Sequence, residues 1–270
     1  MAWALVCDPG IDDAVALAVL VGLGVPPDLV VAVPGNAGLE ATARNAAGLV
    51  CLLGLDVPVR SFAAAQRPVP EGTRGSAHGD DGIGGMADHL PTGAEVRPLA
   101  VDELPAELLV TGALTCAAAA SSIERLVWMG GAIEGGNVTP IAEFNAWSDP
   151  DAADRVLATV PGAQLVPLDV TRQVPLGPDD LSALDRGGVT AQLLARALRA
   201  RPKLFVHDAV SAVAWVRPDL FDWRPMGLRC EQSGALVPDA ARAPVEVAVG
   251  LDVEAVRRFV LDGVLAADAP

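Results

Sequence analysis

The chain opens on an uninterrupted apolar run, Trp3 to Cys7, that stops at Asp8-Pro9-Gly10. A short apolar run ended by a Pro-Gly turn predicts a strand buried on both faces. Asp12 and Asp13 then open Ala14 to Leu23, an apolar segment of strong helix formers. Carboxylates in a first helical turn suit the positive end of the helix dipole, so a helix is predicted there. The same alternation continues with a strand at Leu29 to Val33, broken by Pro34-Gly35-Asn36, a helix at Leu39 to Leu53 and a strand at Val57 to Phe62. Gln66 to Pro91, rich in Gly, Pro, Asp and His and without periodicity, is predicted as loop. Strands are expected at Leu108 to Thr111 and Leu126 to Met129, around a small Ala-rich helix after Thr115, with a second long loop at Gly130 to Ser148. A helix at Asp151 to Thr159 and a strand at Gln164 to Leu168 lead to Asp169-Val170-Thr171. Helices at Ala191 to Arg201 and Asp208 to Val216, strands at Met226 to Cys230 and Val245 to Val249, and a helix at Val253 to Leu265 complete the pattern.

Alternating strands and helices predict an α/β fold. The expectation is one Rossmann-like domain over residues 1–270, with a mostly parallel central sheet and helices on both faces. Hydrophobic residues make up 51% of the chain, yet no apolar run reaches the length of a bilayer span. The apolar start is too short for a signal segment and has no basic residue before it, so a cytoplasmic protein without a membrane partner is expected. Cys7, Cys51, Cys116 and Cys230 lie far apart without CxxC spacing, which favours buried thiols over disulfides or zinc. The formal net charge of -15 repels phosphate backbones and disfavours nucleic acid and anionic membranes as partners.

Charge also directs attention to where the polar residues fall. In an open α/β sheet, ligands bind beyond the carboxyl ends of the strands. Asp8 ends the first predicted strand and Asn36 the second, and Thr115 follows Leu108 to Thr111. Asn137, Glu143 and Asn145 follow Leu126 to Met129, and His207-Asp208 follows Phe205-Val206. Any one of these has an ordinary reading as a cap or turn residue; their coincidence points to a site. The run Asp8-Pro9-Gly10-Ile11-Asp12-Asp13 is the sharpest local feature. Three carboxylates within six residues repel one another unless a cation or proton intervenes, and hard oxygen donors suit Ca²⁺ or Mg²⁺ rather than zinc.

These residues resemble the inosine–uridine-preferring nucleoside hydrolase family. The likeness runs from Asp8-Pro9-Gly10-Ile11-Asp12-Asp13-Ala14 through Pro34-Gly35-Asn36 and His78-Gly79-Asp80-Asp81-Gly82-Ile83-Gly84-Gly85. It continues in Leu114-Thr115, Trp128-Met129-Gly130-Gly131, Gly136 to Asn145, Asp149-Pro150, Pro167 to Thr171 and His207-Asp208, in the family's order. The resemblance implies a calcium-dependent hydrolase that cleaves ribonucleosides to free base and ribose, working as a homodimer or homotetramer. It implies that Asp8, Asp13, Asp208 and the Thr115 carbonyl hold the calcium, and that Asp8 takes a proton from the attacking water. It implies that Asp12, Asn137, Glu143, Asn145 and Asp208 grip the ribose, with Asn36 and Met129 lining that pocket, and that His78 and His207 assist departure of the base.

The sequence departs from the family at Val6, where an Asp is usual, at Cys116 in place of Asn, and at Ala209 in place of Pro. The stretch between Thr171 and His207 is also shorter than usual, which motivates an alternative, a riboside-binding member without turnover. A Mg²⁺-dependent phosphohydrolase is the remote alternative. It wants a basic residue near the carboxylates, and none follows Asp8 before Arg44.

Overall fold

The structure is a computed structural model that describes residues 2–65, 67, 78–199 and 205–268. Its first half alternates β1 (Trp3–Cys7), α1 (Ile11–Gly22), β2 (Leu29–Ala32), α2 (Leu39–Leu52) and β3 (Val59–Ser61). Then come β4 (Arg97–Pro98), β5 (Glu107–Val110), α3 (Thr115–Ala119), β6 (Arg125–Met129), α4 (Phe144–Ser148), α5 (Pro150–Thr159) and β7 (Gln164–Val166). The remainder holds α6 (Leu168–Thr171), α7 (Pro178–Leu184), α8 (Val189–Arg199), α9 (His207–Val216), β8 (Phe221–Met226), β9 (Leu228–Cys230), β10 (Leu236–Pro238), β11 (Val245–Leu251) and α10 (Val253–Ala266).

Among the described residues nine strands form one sheet in the order β4-β3-β2-β1-β5-β6-β7-β11-β8. Every neighbouring pair is parallel except β8 against β11 at the far edge. The period of two in a strand explains how the sheet is covered. Trp3, Leu5 and Cys7 of β1 enter one apolar cluster, with α1, α8, α9 and α10, while Ala4 and Val6 enter the other, with α3 and α5. Val6, at the position where the family carries Asp, is fully buried in this second cluster. Among the described residues no helix is long and apolar enough to cross a membrane.

From β1 the chain builds outward through β2, β3 and β4, and from β5 it builds the other way through β6 and β7. The direction of winding therefore reverses between β1 and β5, and the crevice at such a reversal is where α/β sheets bind ligands. Helix α1, ten of whose residues are buried, begins at that crevice and packs between α9 and α10. Its last residue, Gly22, leaves no room: a Cβ there would lie 1.8 Å from the carbonyl oxygen of Gly263 in α10. Gly22→Ala is therefore expected to push the two helices apart. Overpacking of this kind costs ~1–3 kcal/mol, or a fall in melting temperature of roughly 3–8 °C, and an unchanged thermal melt would refute the close approach.

Several boundaries differ from the sequence expectation for physical reasons. Met226 to Cys230 is two strands in different sheets, split at Gly227, where a Cβ would meet the Asp239 carbonyl at 2.3 Å. The predicted loop at Gly130 to Ser148 ends in α4, whose cap is Glu143. Strand β7 stops at Val166, and Leu168 already belongs to α6. Phe205 pairs with Pro175 in an isolated bridge, and among the described residues Phe205-Val206 is not part of the central sheet. Helix α7 is an addition to the expected elements.

Candidate active site

The crevice between β1 and β5 is lined by carboxylates because the turn after β1 cannot turn them elsewhere. Gly10 caps α1 in extended conformation, and Asp13 reaches back so that its Oδ2 accepts the Gly10 N–H at 2.8 Å. Its Oδ1 accepts the Thr111 hydroxyl from the end of β5 at 2.8 Å. Asp8 Oδ2 accepts the Asn36 N–H at 2.7 Å, and the Asn36 amide donates to the Asp8 carbonyl at 3.0 Å and to Asp13 Oδ2 at 3.4 Å. This is why Gly35 precedes Asn36: a Cβ at position 35 would sit 1.9 Å from Asp8 Oδ2. Asp208 arrives from the first turn of α9 and brings a carboxylate oxygen within 4.8 Å of one on Asp13.

One oxygen from each of Asp12, Asp13 and Asp208 lies within 4.8 Å of the others, and all three residues are buried. Asp8, also buried, stands beside this trio rather than inside it. Burial and mutual repulsion raise the proton affinities of Asp8, Asp13 and Asp208. Asp13 is pushed up to about 6, by burial first and then by the charge of Asp12. Burial also lifts Asp8 well above the carboxylate range, with the Asp13 charge next. Asp208 is lifted by burial and then by Asp12, Asp13 and Asp8. A pocket that raises Asp8, Asp13 and Asp208 together is short of positive charge.

The remaining expected residues fall around this trio in different ways. His78 leans on the start of α1: its Nδ1 accepts the Ile11 N–H at 3.1 Å and lies 3.7 Å from Asp12 Oδ1. His207 Nδ1 pairs with the Thr171 hydroxyl at 2.8 Å, and its ring stacks on Phe205 at 5.6 Å. Glu143 is buried and commits both oxygens to backbone: Oε1 to Asn145 N–H, Oε2 to Gly131 and Ala146 N–H. Burial nevertheless pushes it up to about 7. Asn145 spends its amide on the Thr111 and Met129 carbonyls, at 2.8 and 3.0 Å, tying the ends of β5 and β6 together. Met129 is buried with Ala132 and Leu168 beneath the loop instead of facing open space. Asn137 is exposed, and its Oδ1 accepts the Phe144 N–H at 2.9 Å. The Thr115 hydroxyl donates to Asp149 Oδ2 at 2.6 Å, away from the trio. Arg60 pairs with Glu103, Arg67 stacks on Trp147, and Arg74 lies outside the described residues.

Two further residues escaped the sequence reading. Thr111 was visible only as the last residue of a strand, and nothing in its neighbours marks the bond to Asp13. Asn45, fully buried in α2, donates to the Asp81 carbonyl at 3.0 Å and to the Pro9 carbonyl at 3.5 Å. It joins the carboxylate turn to the His78 loop, which Asp81 folds by accepting the N–H groups of Ile83, Gly85 and Ala87. A polar side chain on an apolar helical face, followed by Ala46-Ala47, was the available signal. Asn45→Ala is expected to loosen both turns and lower stability by ~1 kcal/mol or more, the worth of a lost buried hydrogen bond. A thermal melt checks this, and an unchanged melting temperature would show that the turns hold without it.

A profile of the inosine–uridine preferring nucleoside hydrolase family matches residues 4–258. The non-specific ribonucleoside hydrolase RihC of Escherichia coli is 34% identical over 290 aligned residues, covering 94% of this chain and 95% of that protein. Among solved structures, the purine-preferring ribonucleoside hydrolase from Gardnerella vaginalis is similar with a TM-score of 0.87 at 25% identity, covering 98% of this chain and 100% of that chain. A plant nucleoside hydrolase, PpNRh1, shares the fold with a TM-score of 0.85 at 24% identity, covering 100% and 99%.

Proposed function

The chain belongs to the inosine–uridine preferring nucleoside hydrolase family, and from that premise we propose that it hydrolyses the N-glycosidic bond of ribonucleosides with the help of a calcium ion. The observation that carries this reading is the buried group of Asp12, Asp13 and Asp208, with Asp8 beside it, at the reversal of the sheet.

The donors fit a hard divalent cation. They are all oxygens, without thiol or imidazole, and the raised proton affinities of Asp8, Asp13 and Asp208 mark a pocket that favours added positive charge. Asp8, Asp13, Asp208 and the Thr115 carbonyl would hold the ion. A divalent cation there lowers the pKa of water it binds and offsets the repulsion among the carboxylates.

The residues of the chain do the rest. Asp8 has Oδ2 held by the Asn36 N–H, which leaves Oδ1 to take the proton of the attacking water. The water oxygen bonds to the anomeric carbon, the C–N bond breaks with its electron pair going to the base, and the base leaves with a proton. The ribose carbon passes through an oxocarbenium-like state, which buried carboxylates stabilise. Asp12 and Asp208 face the sugar, joined by Asn36, Asn137, Glu143 and Asn145, and Met129 supports the pocket from below. His78 Nδ1 accepts the Ile11 N–H, which places the proton of the neutral ring on Nε2, the nitrogen that would protonate the departing base, and His207, held by Thr171 at Nδ1, would assist from the other side.

The test is release of free ribose from a panel of purine and pyrimidine ribosides. Release that disappears with EDTA and with Asp8→Asn is the expected result, and the panel names the preferred base. No release from any riboside, with calcium still bound, would sink the hydrolytic reading and leave riboside binding.

A further inference from the structure

The segment Asp169-Val170-Thr171-Arg172 has no part in the mechanism above, yet its polar side chains point at both walls of the site. Asp169 Oδ2 accepts the Ile133 N–H at 2.7 Å, and its Oδ1 accepts the Glu134 N–H at 2.9 Å. Arg172 donates to the next two carbonyls, Gly135 at 3.1 Å and Gly136 at 3.0 Å. Leu168 N–H adds a bond to the Gly131 carbonyl at 2.9 Å. The segment thus grips the loop from Gly131 to Gly136 through five hydrogen bonds. On its other side the fully buried Thr171 pairs with His207.

The gripped stretch needs outside support. It contains three glycines, and Ile133 and Glu134 are exposed, so little apolar burial orders it. It leads directly into a tight turn in which Gly136 N–H bonds the Pro140 carbonyl and Asn137 N–H bonds the Ala142 carbonyl, both at 3.1 Å. That turn delivers Asn137, Glu143 and Asn145. We propose that Asp169 and Arg172 are positioning residues: a bracket, acting through backbone, that holds the Gly131–Gly136 stretch and with it the wall that presents Asn137 to the ribose. The proposal rests on the hydrolase reading for what the wall binds, but the bracket itself is independent of that reading.

The test compares Asp169→Ala, Asp169→Asn and Arg172→Met with the parent protein in calcium. Two readouts are taken, amide hydrogen exchange of residues 133–137 and the kinetics of ribose release. Asp169→Ala is expected to speed exchange at Ile133 and Glu134 by at least ~10-fold and to raise KM about tenfold, with kcat within about threefold. Asp169→Asn keeps one acceptor oxygen and should recover part of both effects, and Arg172→Met should give a smaller rise in KM. Thermal melts close to the parent's identify these as local changes. Protected amides in Asp169→Ala would overturn the bracket. Fast exchange with an unchanged KM would overturn its role in positioning. A parent protein that releases no ribose overturns the hydrolase reading alone, since amide exchange still decides whether the bracket exists.

Discussion

Asp13→Asn is expected to lose ribose release by ~10³-fold or more while melting in EDTA no lower than the parent. The two halves of this expectation have one cause. Asp13 is the hub of the site: it takes the Gly10 N–H, the Thr111 hydroxyl and the Asn36 amide, with an Asp208 oxygen within 4.8 Å. A group with so many partners is ordinarily a stabilising one. Here burial and the Asp12 charge outweigh those bonds and push the carboxyl up to about 6. At neutral pH without a cation, the ionised form is therefore a cost to the fold. An amide of the same shape removes that charge, retains an acceptor oxygen and fills the same volume. It also removes a negative ligand from the group that would hold the ion. Loss of function without loss of stability separates a residue kept for binding from one kept for packing. The measurements are calcium titration, ribose release and melting in EDTA. Calcium affinity equal to the parent's would remove Asp13 from the ion site, and a melt lowered by several degrees would make its role structural.

The same contrast explains which parts of the site were legible in the sequence. Asp8, Asp12 and Asp13 stand out because a carboxylate cluster between an apolar run and a helix has no ordinary packing role. Glu143, between Ala142 and Phe144, stands out in the same way, and the structure shows it committed to three backbone N–H groups. Thr111 and Asn45 hide because their residue types are tolerated where they sit, and only the tertiary register of β5 against β1 and of α2 against the His78 loop gives them partners. The sheet was readable from its apolar runs, yet its far edge was not. Phe221 to Met226 alternates too weakly to mark a strand, and the bend at Gly227 is set by the approach of Asp239 from a later turn. Helix α7 begins at a proline with two acidic residues in its first turn, a signature short enough to pass for loop. Contacts between distant segments account for each of these gaps.

The charge shortage of the site also sets how stability should depend on pH, and the sign is unusual. Carboxylates that gain partners on folding usually fall in pKa and stabilise a protein as pH rises through the acid range. Asp81, Glu103, Asp185 and Asp219 behave that way here, and their contribution is complete only above about pH 5. The buried group is opposite. Asp13 rises to about 6 and Glu143 to about 7, with Asp8 and Asp208 also raised. Between the unfolded values near 4 and these folded values, the native state binds more protons than the unfolded chain, so stability falls as pH rises. At about 1.4 kcal/mol per unit, Asp13 contributes roughly 3 kcal/mol of this loss and Glu143 a similar amount. In EDTA the melting temperature is thus expected to peak near pH 5 and to fall by roughly 10 °C toward pH 8. Calcium should reverse much of that fall, because an ion displaces the protons of Asp8, Asp13 and Asp208 and binds more tightly as they leave. Added calcium should then raise the melt little at pH 5 and strongly at pH 8, with Glu143, outside the trio, leaving a residual downward slope. A melt in EDTA that climbs steadily from pH 5 to pH 8 would contradict the raised carboxylates. A calcium shift equal at both pH values would mean that the ion binds somewhere other than at Asp8, Asp13 and Asp208.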